Sequence, residues 1–249
     1  MERTSRIIRL GTMFAIIVFF VSCQKVLDHW PKGHGNQVDC KIKKLIYSDF
    51  EYNYYYGPKG LLDSIIRVPE DSYLPRGNAF LKYDQQNRLI EYAEYYDRDP
   101  QDYISIHHYK YAGNRIVQDT GFIRIAAAYT EVLDIEYDFW GRITKTSGFS
   151  WIENDPSTPI PSVTMRYAYN DDGNKNKVWF NDDLTTYDNF DDKVNYVRTD
   201  PVLEFLFRNY SKNNALPGPT SYNDKGLPIT FAGDVNDPYL FTGIEYNCK

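Results

Sequence analysis

Seven residues constrain this chain more than any others: Tyr137-Asp138-Phe139-Trp140-Gly141-Arg142-Ile143. They read as a strand end, a turn closed by glycine, then a basic residue and an aliphatic that starts a returning strand. Related copies begin at Tyr83, Tyr111, Tyr169, Tyr187 and Tyr222, with a looser one at Tyr56, which runs into Gly57-Pro58-Lys59-Gly60. From Tyr56 onward the anchoring tyrosines are 27, 28, 26, 32, 18 and 35 residues apart. A spacing near 27 accommodates one hairpin plus a connection to the next. Asn, Asp and Gly tolerate the left-handed backbone of a tight turn, and tyrosine and β-branched residues favour the flanking pleated strands.

The expected fold is therefore all-β: a meander of antiparallel hairpins forming a curved sheet or barrel-like structure. Prolines at 69, 75 and 100 and the cluster Pro156, Pro159 and Pro161 are assigned to loops. One stretch breaks the pattern. Asp200-Pro201 followed by the apolar cluster to Tyr210 has a helix N-cap and a proline at the first helical position. It predicts one short helix near 201–210, placed to plug an opening of the curved sheet; docking to a membrane or partner is the alternative.

The first residues read as an address. Arg3, Arg6 and Arg9 precede an apolar run from Leu10 to Val21, 12 residues long. That is too short to span a bilayer and fits the core of a signal peptide. The run ends at Val21-Ser22-Cys23, which resembles the lipobox of bacterial lipoproteins, with Phe20 where that motif usually has leucine. The expected organisation is a lipoprotein signal peptide over 1–22, lipidation at Cys23, a flexible tether over 23–37 and a single β domain over 38–249. An ordinary secretory signal is the alternative.

Removing residues 1–22 takes away three arginines and one glutamate, so the net charge moves from −6 to −8. An acidic chain lacks the basic footprint that nucleic acid requires. Contact with a membrane is expected through the N-terminal lipid.

Two cysteines then remain, Cys40 and Cys248, at the two ends of the β domain. Export places them where disulfides persist. The expectation is a bond joining the first strand to the last, with two buried free thiols as the alternative. In the chain-entropy model so long a loop gives about 5 kcal/mol. Such a bond would also favour closure of the sheet into a barrel.

The Tyr-Asp-x-x-Gly-Arg-Ile sentence is similar to the tyrosine-aspartate (Rhs-type) repeats of large secreted shells, which need many more copies. With its lipobox, the Cys40-Lys41-Ile42 strand start, the Ser211-Lys212-Asn213-Asn214 segment and the closing Tyr246-Asn247-Cys248, the chain also resembles a group of uncharacterised Gram-negative lipoproteins with a porin-like β fold. That likeness covers residues 38–249. It implies a fold and a compartment, the cell envelope with the outer membrane as the expected site of anchoring, and brings no activity with it.

The search for chemistry returns little. There is no Gly-x-Ser-x-Gly elbow, no His-Glu-x-x-His motif and no phosphate-cradling loop. His29 and His34 fall in the tether. His107 and His108 are adjacent in a strand and point to opposite faces, so they are read as packed or solvated and not as metal ligands. The pairs Asp171-Asp172, Asp182-Asp183 and Asp191-Asp192 could serve glycoside hydrolysis if a cleft held two carboxylates apart. Each, however, sits in turn-like sequence, where aspartate bonds its own backbone. Asn170 to Asn174 lacks the ligand alternation of a calcium loop. No metal and no cofactor is expected.

What remains is aromatic density: 23 tyrosines in 249 residues. Tyr92, Tyr95, Tyr96, Tyr103, Tyr109 and Tyr111 form a candidate binding face for sugar rings or an apolar partner. Cross-strand aromatic pairing is the structural alternative. The expected function is a non-catalytic, lipid-anchored envelope protein that binds or supports. A glycan-binding accessory protein of a nutrient-uptake system and an envelope hydrolase using an acidic pair are the alternatives. Function is expected where the repeat breaks: the 150–162 loop, the 200–214 insert and the Tyr92–Tyr111 face.

Overall fold

The structure is a computed structural model. It describes residues 39–68, 77–96, 102–124, 127–153, 155–232 and 241–249. The expected signal peptide, Cys23, the expected tether with His29 and His34, and Pro69, Pro75 and Pro100 lie outside the described residues.

The described chain is an antiparallel meander in one 16-stranded sheet. Its strands are β1 (Cys40–Ile46), β2 (Glu51–Tyr56), β3 (Leu62–Val68), β4 (Asn78–Tyr83), β5 (Leu89–Tyr95), β6 (Tyr103–Ala112), β7 (Arg115–Arg124) and β8 (Ala128–Tyr137). They continue with β9 (Ile143–Ile152), β10 (Asp155–Pro161), β11 (Met165–Tyr169), β12 (Lys175–Phe180), β13 (Asp183–Thr186), β14 (Pro219–Tyr222), β15 (Pro228–Phe231) and β16 (Gly243–Cys248). A 3-10 turn (Tyr196–Thr199) and one helix, α1 (Pro201–Leu206), interrupt the meander between β13 and β14.

The repeat builds one end of this sheet, and each of its residues has a task there. The carboxylate of Asp138 accepts the Arg142 backbone N–H at 2.9 Å and holds Arg142 Nε at 2.7 Å. Asp84 does the same for Arg88, at 2.9 and 2.7 Å. The fourth residue of the turn takes a left-handed backbone, with φ of 72° at Gly60, 81° at Gly141, 87° at Gly173 and 74° at Gly226. Asn87 fills that place at 61°, as asparagine can.

The tyrosine hydroxyl then reaches across to the neighbouring hairpin and donates to the carbonyl of its aliphatic residue. Tyr83 bonds Leu62, Tyr111 bonds Leu89, Tyr137 bonds Ile116 and Tyr169 bonds Ile143, at 2.7 to 3.0 Å. The arginine of one copy lies over the tyrosine ring of the next: Arg88 over Tyr111 at 4.6 Å and Arg142 over Tyr169 at 4.1 Å. Arg115 belongs to the copy without an aspartate, and it sits farther from Tyr137, at 5.7 Å. Each aliphatic is buried, Leu62 and Ile143 completely. The 27-residue spacing is thus the step of a side-chain ladder.

A further copy is split between the two ends of the β domain. Cys40 and Cys248 form a disulfide across 208 residues. β1 pairs with β16 so that Ile42 faces Tyr246, as Ile143 faces Tyr137 in the clearest copy. Tyr246 donates to the Pro228 carbonyl at 2.8 Å. Lys41 lies over the Tyr56 ring at 4.5 Å, in the place of the repeat arginine. Tyr246-Asn247-Cys248 and Cys40-Lys41-Ile42 therefore make one repeat in which the disulfide stands for the turn.

This bond brings first and last strands together without closing the sheet. β1 and β16 lie inside the strand order, whose edges are β13 and β14. The expected link between the disulfide and closure therefore does not hold. The insert from 187 to 218 spans those two edges instead. Lys212 N–H donates to the Gly173 carbonyl at 3.3 Å beside one edge, and Tyr222 of the other donates to Asp191 at 2.6 Å.

The sheet is rolled around that insert. Tyr196 meets Phe231 of β15 with ring centroids 6.1 Å apart, Phe205 meets Tyr109 of β6 at 5.2 Å, and the Arg208 carbonyl accepts from Lys175 of β12 at 2.9 Å. β15 and β12 would be ~58 Å apart across a flat sheet, whereas residues 196–208 span about 20 Å as helix. Only a curled sheet brings these strands to one short segment.

Inside lie apolar and aromatic side chains; outside, cross-strand pairs such as Lys82–Glu91 at 2.8 Å and Lys145–Glu136 at 2.7 Å. The outward face also exposes large apolar strand residues, Phe122 and Phe149 among them.

Two expectations about irregular segments are corrected. The 150–162 loop is largely strand: β9 runs to Ile152, and Asp155–Pro161 is β10, paired to β9 alone. An edge position tolerates prolines because one side of the strand needs no donors. The sixth copy, at Tyr187, makes no hairpin. β13 ends at Thr186, and Asp191 turns to the insert, accepting from the backbone and side-chain amides of Asn214 at 3.0 and 2.9 Å.

Candidate functional site

A cavity of about 340 Å3 lies between the C-terminal part of the insert helix and the far halves of β1 to β7, away from the Tyr-Asp turns. Its wall is largely aromatic, with Tyr47, Tyr52, Tyr54, Tyr92, Tyr109 and Phe205. These rings are braced from behind: Tyr47 stacks on Phe50 at 4.4 Å, and the Arg67 guanidinium covers Phe50 at 4.4 Å.

One corner is polar. His107 Nδ1 lies 2.9 Å from Asp119 Oδ1, and Asp119 is buried. With Asp119 ionised, Nδ1 is the donor and Nε2 is left to receive or give a hydrogen bond. Gly121 faces His107 across β6 and β7, and a Cβ there would stand 3.0 Å from the imidazole Cε1. The missing side chain makes the room in which the ring tilts toward Asp119. Glu94 completes the corner and accepts the Gly77 backbone N–H at 3.0 Å.

Arg208 arrives from the insert. Its NH1 donates to Thr146 Oγ1 at 2.9 Å, and its NH2 lies 3.8 Å from Asp119 Oδ2. The residue ends α1 with φ at +47°, a left-handed position where glycine is the usual occupant. An L side chain there costs about 1–2 kcal/mol. The strained backbone carries the guanidinium into the polar corner.

The insert is seated by buried ionisable groups. Asp200 caps the helix by accepting the Val202 N–H at 2.9 Å and meets Lys41 Nζ at 3.4 Å. Burial pushes the Glu204 carboxyl up to about 7, against the pull of Arg198 at 3.4 Å. Burial also lowers the Lys175 ammonium to about 8.

The six tyrosines of the expected binding face are divided by the structure. Tyr92 and Tyr109 line the cavity. Tyr111 belongs to the ladder. Tyr95 meets Phe80 edge-on at 5.8 Å, Tyr103 lies under Arg124 at 4.3 Å, and Tyr96 is 39% exposed. Tyr92 and Tyr95 are three residues apart and Tyr95 and Tyr96 adjacent, so strand alternation itself divides them between the two faces.

The paired aspartates lie elsewhere. Asp171-Asp172 forms a turn, Asp182 lies in the Asn181-Asp182 turn with Asp183 opening β13, and Asp191 is committed to Asn214 and Tyr222. The Asn170 side chain accepts the Asn174 N–H at 2.9 Å, as a turn residue does. Among the described residues, no group of three or more His, Cys, Asp or Glu is placed to hold a metal.

Sequence reasoning missed His107, Asp119, Glu94 and Arg208 as one group. Counting out from the Gly113-Asn114 turn sets Asp119 opposite His108, on the other face from His107; only the register shift after Lys110 moves it to the His107 face, so the first pair had no signal. Arg208 had none, since its place depends on how the insert docks.

No family model and no curated protein matches this chain. The reading of the cavity rests on its geometry.

Proposed function

We propose that this protein is a non-catalytic, lipid-anchored binding protein of a Gram-negative cell envelope, held to the outer membrane through Cys23, with the cavity above α1 as its ligand site. The observation that carries the reading is the composition of that cavity: a wall of tyrosines beside the His107–Asp119–Arg208 corner. Its volume is at the small end of the usual range for ligand pockets.

A glycan is the ligand class the lining suits best. Aromatic faces stack on sugar rings, while carboxylate, imidazole and guanidinium groups bond to hydroxyls. The test is a glycan array with the full chain and with Tyr92→Ala, Glu94→Gln and His107→Ala. Binding that all three variants weaken, with unchanged melting temperatures, supports the reading; binding that none of them alters refutes it.

The His107–Asp119 pair favours one second reading, proton transfer in a hydrolase. An oriented imidazole with a free Nε2 is suited to general base catalysis. Turnover of a bound glycan that His107→Ala abolishes would replace the binding protein with an enzyme.

A further inference from the structure

The polar corner of the cavity does not end at His107. Tyr92 and His107 both line the cavity and pair across β5 and β6. The same register continues away from them: His107 faces Gly121, Gly121 faces Glu131, Glu131 faces Ser150 and Ser150 faces Ile160. Directly paired residues share a face of the sheet. These positions therefore form one row across β5 to β10, on the inner face. Its far part, from Glu131 to Ile160, lies beyond the cavity lining.

The row is a groove with two banks. Gly121 lacks the Cβ that would stand 3.0 Å from His107 Cε1, so the imidazole leans over β7 and Glu131 of β8 is the next side chain along. One bank is the insert, whose Arg208 reaches Asp119, the neighbouring inward residue of β7, with NH2 at 3.8 Å. The other is the rim, where Ile123, Tyr129 and Ile152 stand opposite one another on β7, β8 and β9. Burial raises the Tyr129 phenol and the charge of Glu131 adds to it, which puts the two polar groups side by side. Tyr129 and Glu131 are half-buried, and Ile152 and Ile160 at the far end are 43% and 46% exposed, so the row is open to a ligand.

We infer, resting on the reading of the cavity as a glycan site, that the ligand is an oligosaccharide lying across the strands. One ring stacks on Tyr92 in the cavity, the next passes His107 beside Glu131, and the chain continues over Ser150. From β6 to β9 the row covers three strand spacings, ~14 Å, which is longer than a single sugar ring. Glu94, Asp119 and Glu131 stand along this path against the guanidinium of Arg208. Like charges on ligand and site repel, so the chain is built of neutral sugars and not of uronic acids or sulfated sugars.

The experiment probes an array with the full chain, each neutral or acidic sugar being printed as the single unit and as oligomers of increasing length. Affinities for the series that binds are then measured in solution. The expected result is affinity that grows with length among neutral sugars. Glu131→Gln and Tyr129→Ala should each weaken the longer oligomers about tenfold and leave the single unit unchanged. Ser150→Trp, which raises bulk on the floor of the row, should block the longer oligomers and spare the single unit. All three positions are half-buried, and unchanged melting temperatures show that a loss of binding is not a loss of fold. Oligomers that bind no better than the single unit, a gain with length that survives all three variants, or a preference for acidic chains overturns the inference and leaves the cavity reading standing. No glycan bound at any length removes both.

Discussion

The two ends of the rolled sheet are made on different rules. At the Tyr-Asp end the copies at Tyr83 and Tyr137 spend the same residues on the same bonds: a carboxylate closes the turn, a tyrosine ties it to its neighbour and an aliphatic is buried. At the cavity end no residue pattern recurs. Arg208 holds an unfavourable backbone to place a guanidinium, and Gly121 omits a side chain so that His107 can turn. Repetition marks the end built from shared turns; exceptions to local preference mark the end that holds the candidate site.

The largest effect should come from breaking the Tyr-Asp end at its one covalent link. Cys40→Ser with Cys248→Ser leaves β1 and β16 joined by hydrogen bonds only. The loss expected from chain entropy is about 5 kcal/mol, read as a lower midpoint in urea at an unchanged slope. The disulfide stands where other copies have a turn, and the Lys249 N–H donates to the Asp39 carbonyl at 3.0 Å. A permuted chain that joins Lys249 to Asp39 through Asp-Gly, with new ends between Tyr187 and Phe190, should recover most of that loss without any cysteine. No recovery would mean that the bond does more than replace a turn.

Next comes the seat of the insert. Glu204 is raised to about 7 by burial, so between its ordinary value near 4.5 and about 7 the folded protein holds a proton that the unfolded chain releases. Stability should therefore fall as pH rises through that window, by about 3 kcal/mol at most. Glu204→Gln should remove the slope and be the more stable protein at pH 8. Urea titrations at pH 5 and pH 8 check this. An unchanged slope in the variant would mean that Glu204 is not the group responsible.

A smaller effect belongs to a single rung of the ladder. Tyr137→Phe removes the bond to the Ile116 carbonyl and leaves that acceptor unpaired, for about 1–2 kcal/mol. Tyr169→Phe should cost the same, and the two should add, since they serve different hairpins. Strong coupling between them would show the ladder to be one cooperative unit.

The difference between the ends also decides what could be read from sequence. The turns were legible because their bonds are local: Asp138 and Arg142 are four residues apart, and glycine marks the left-handed position. The disulfide followed from compartment and position, and the helix from Asp200-Pro201. The split repeat was present in plain view as Tyr246-Asn247-Cys248 and Cys40-Lys41-Ile42, but joining them needs the pairing of β1 with β16. The Tyr92–Tyr111 tyrosines were grouped as one candidate face, but Tyr92 and Tyr95 are three residues apart and Tyr95 and Tyr96 adjacent, so strand alternation by itself divides them. The sixth repeat failed because Asp191 bonds Asn214, 23 residues away.

The smallest change in stability, and the sharpest in function, is expected at Gly121. Alanine there places a methyl group 3.0 Å from the His107 ring. The ring is only partly buried and borders a cavity, so it can swing aside, which limits the expected loss to about 1 kcal/mol. Swinging aside separates Nδ1 from Asp119 and removes the polar corner while every tyrosine of the wall stays in place. On the binding reading, Gly121→Ala should therefore weaken a ligand as much as His107→Ala does, and Gly121→Ala with His107→Ala should be no worse than either alone. If the double variant instead loses the sum of the two effects, the glycine acts on the strand and not through the histidine, and the far end of the sheet would owe its shape to backbone alone.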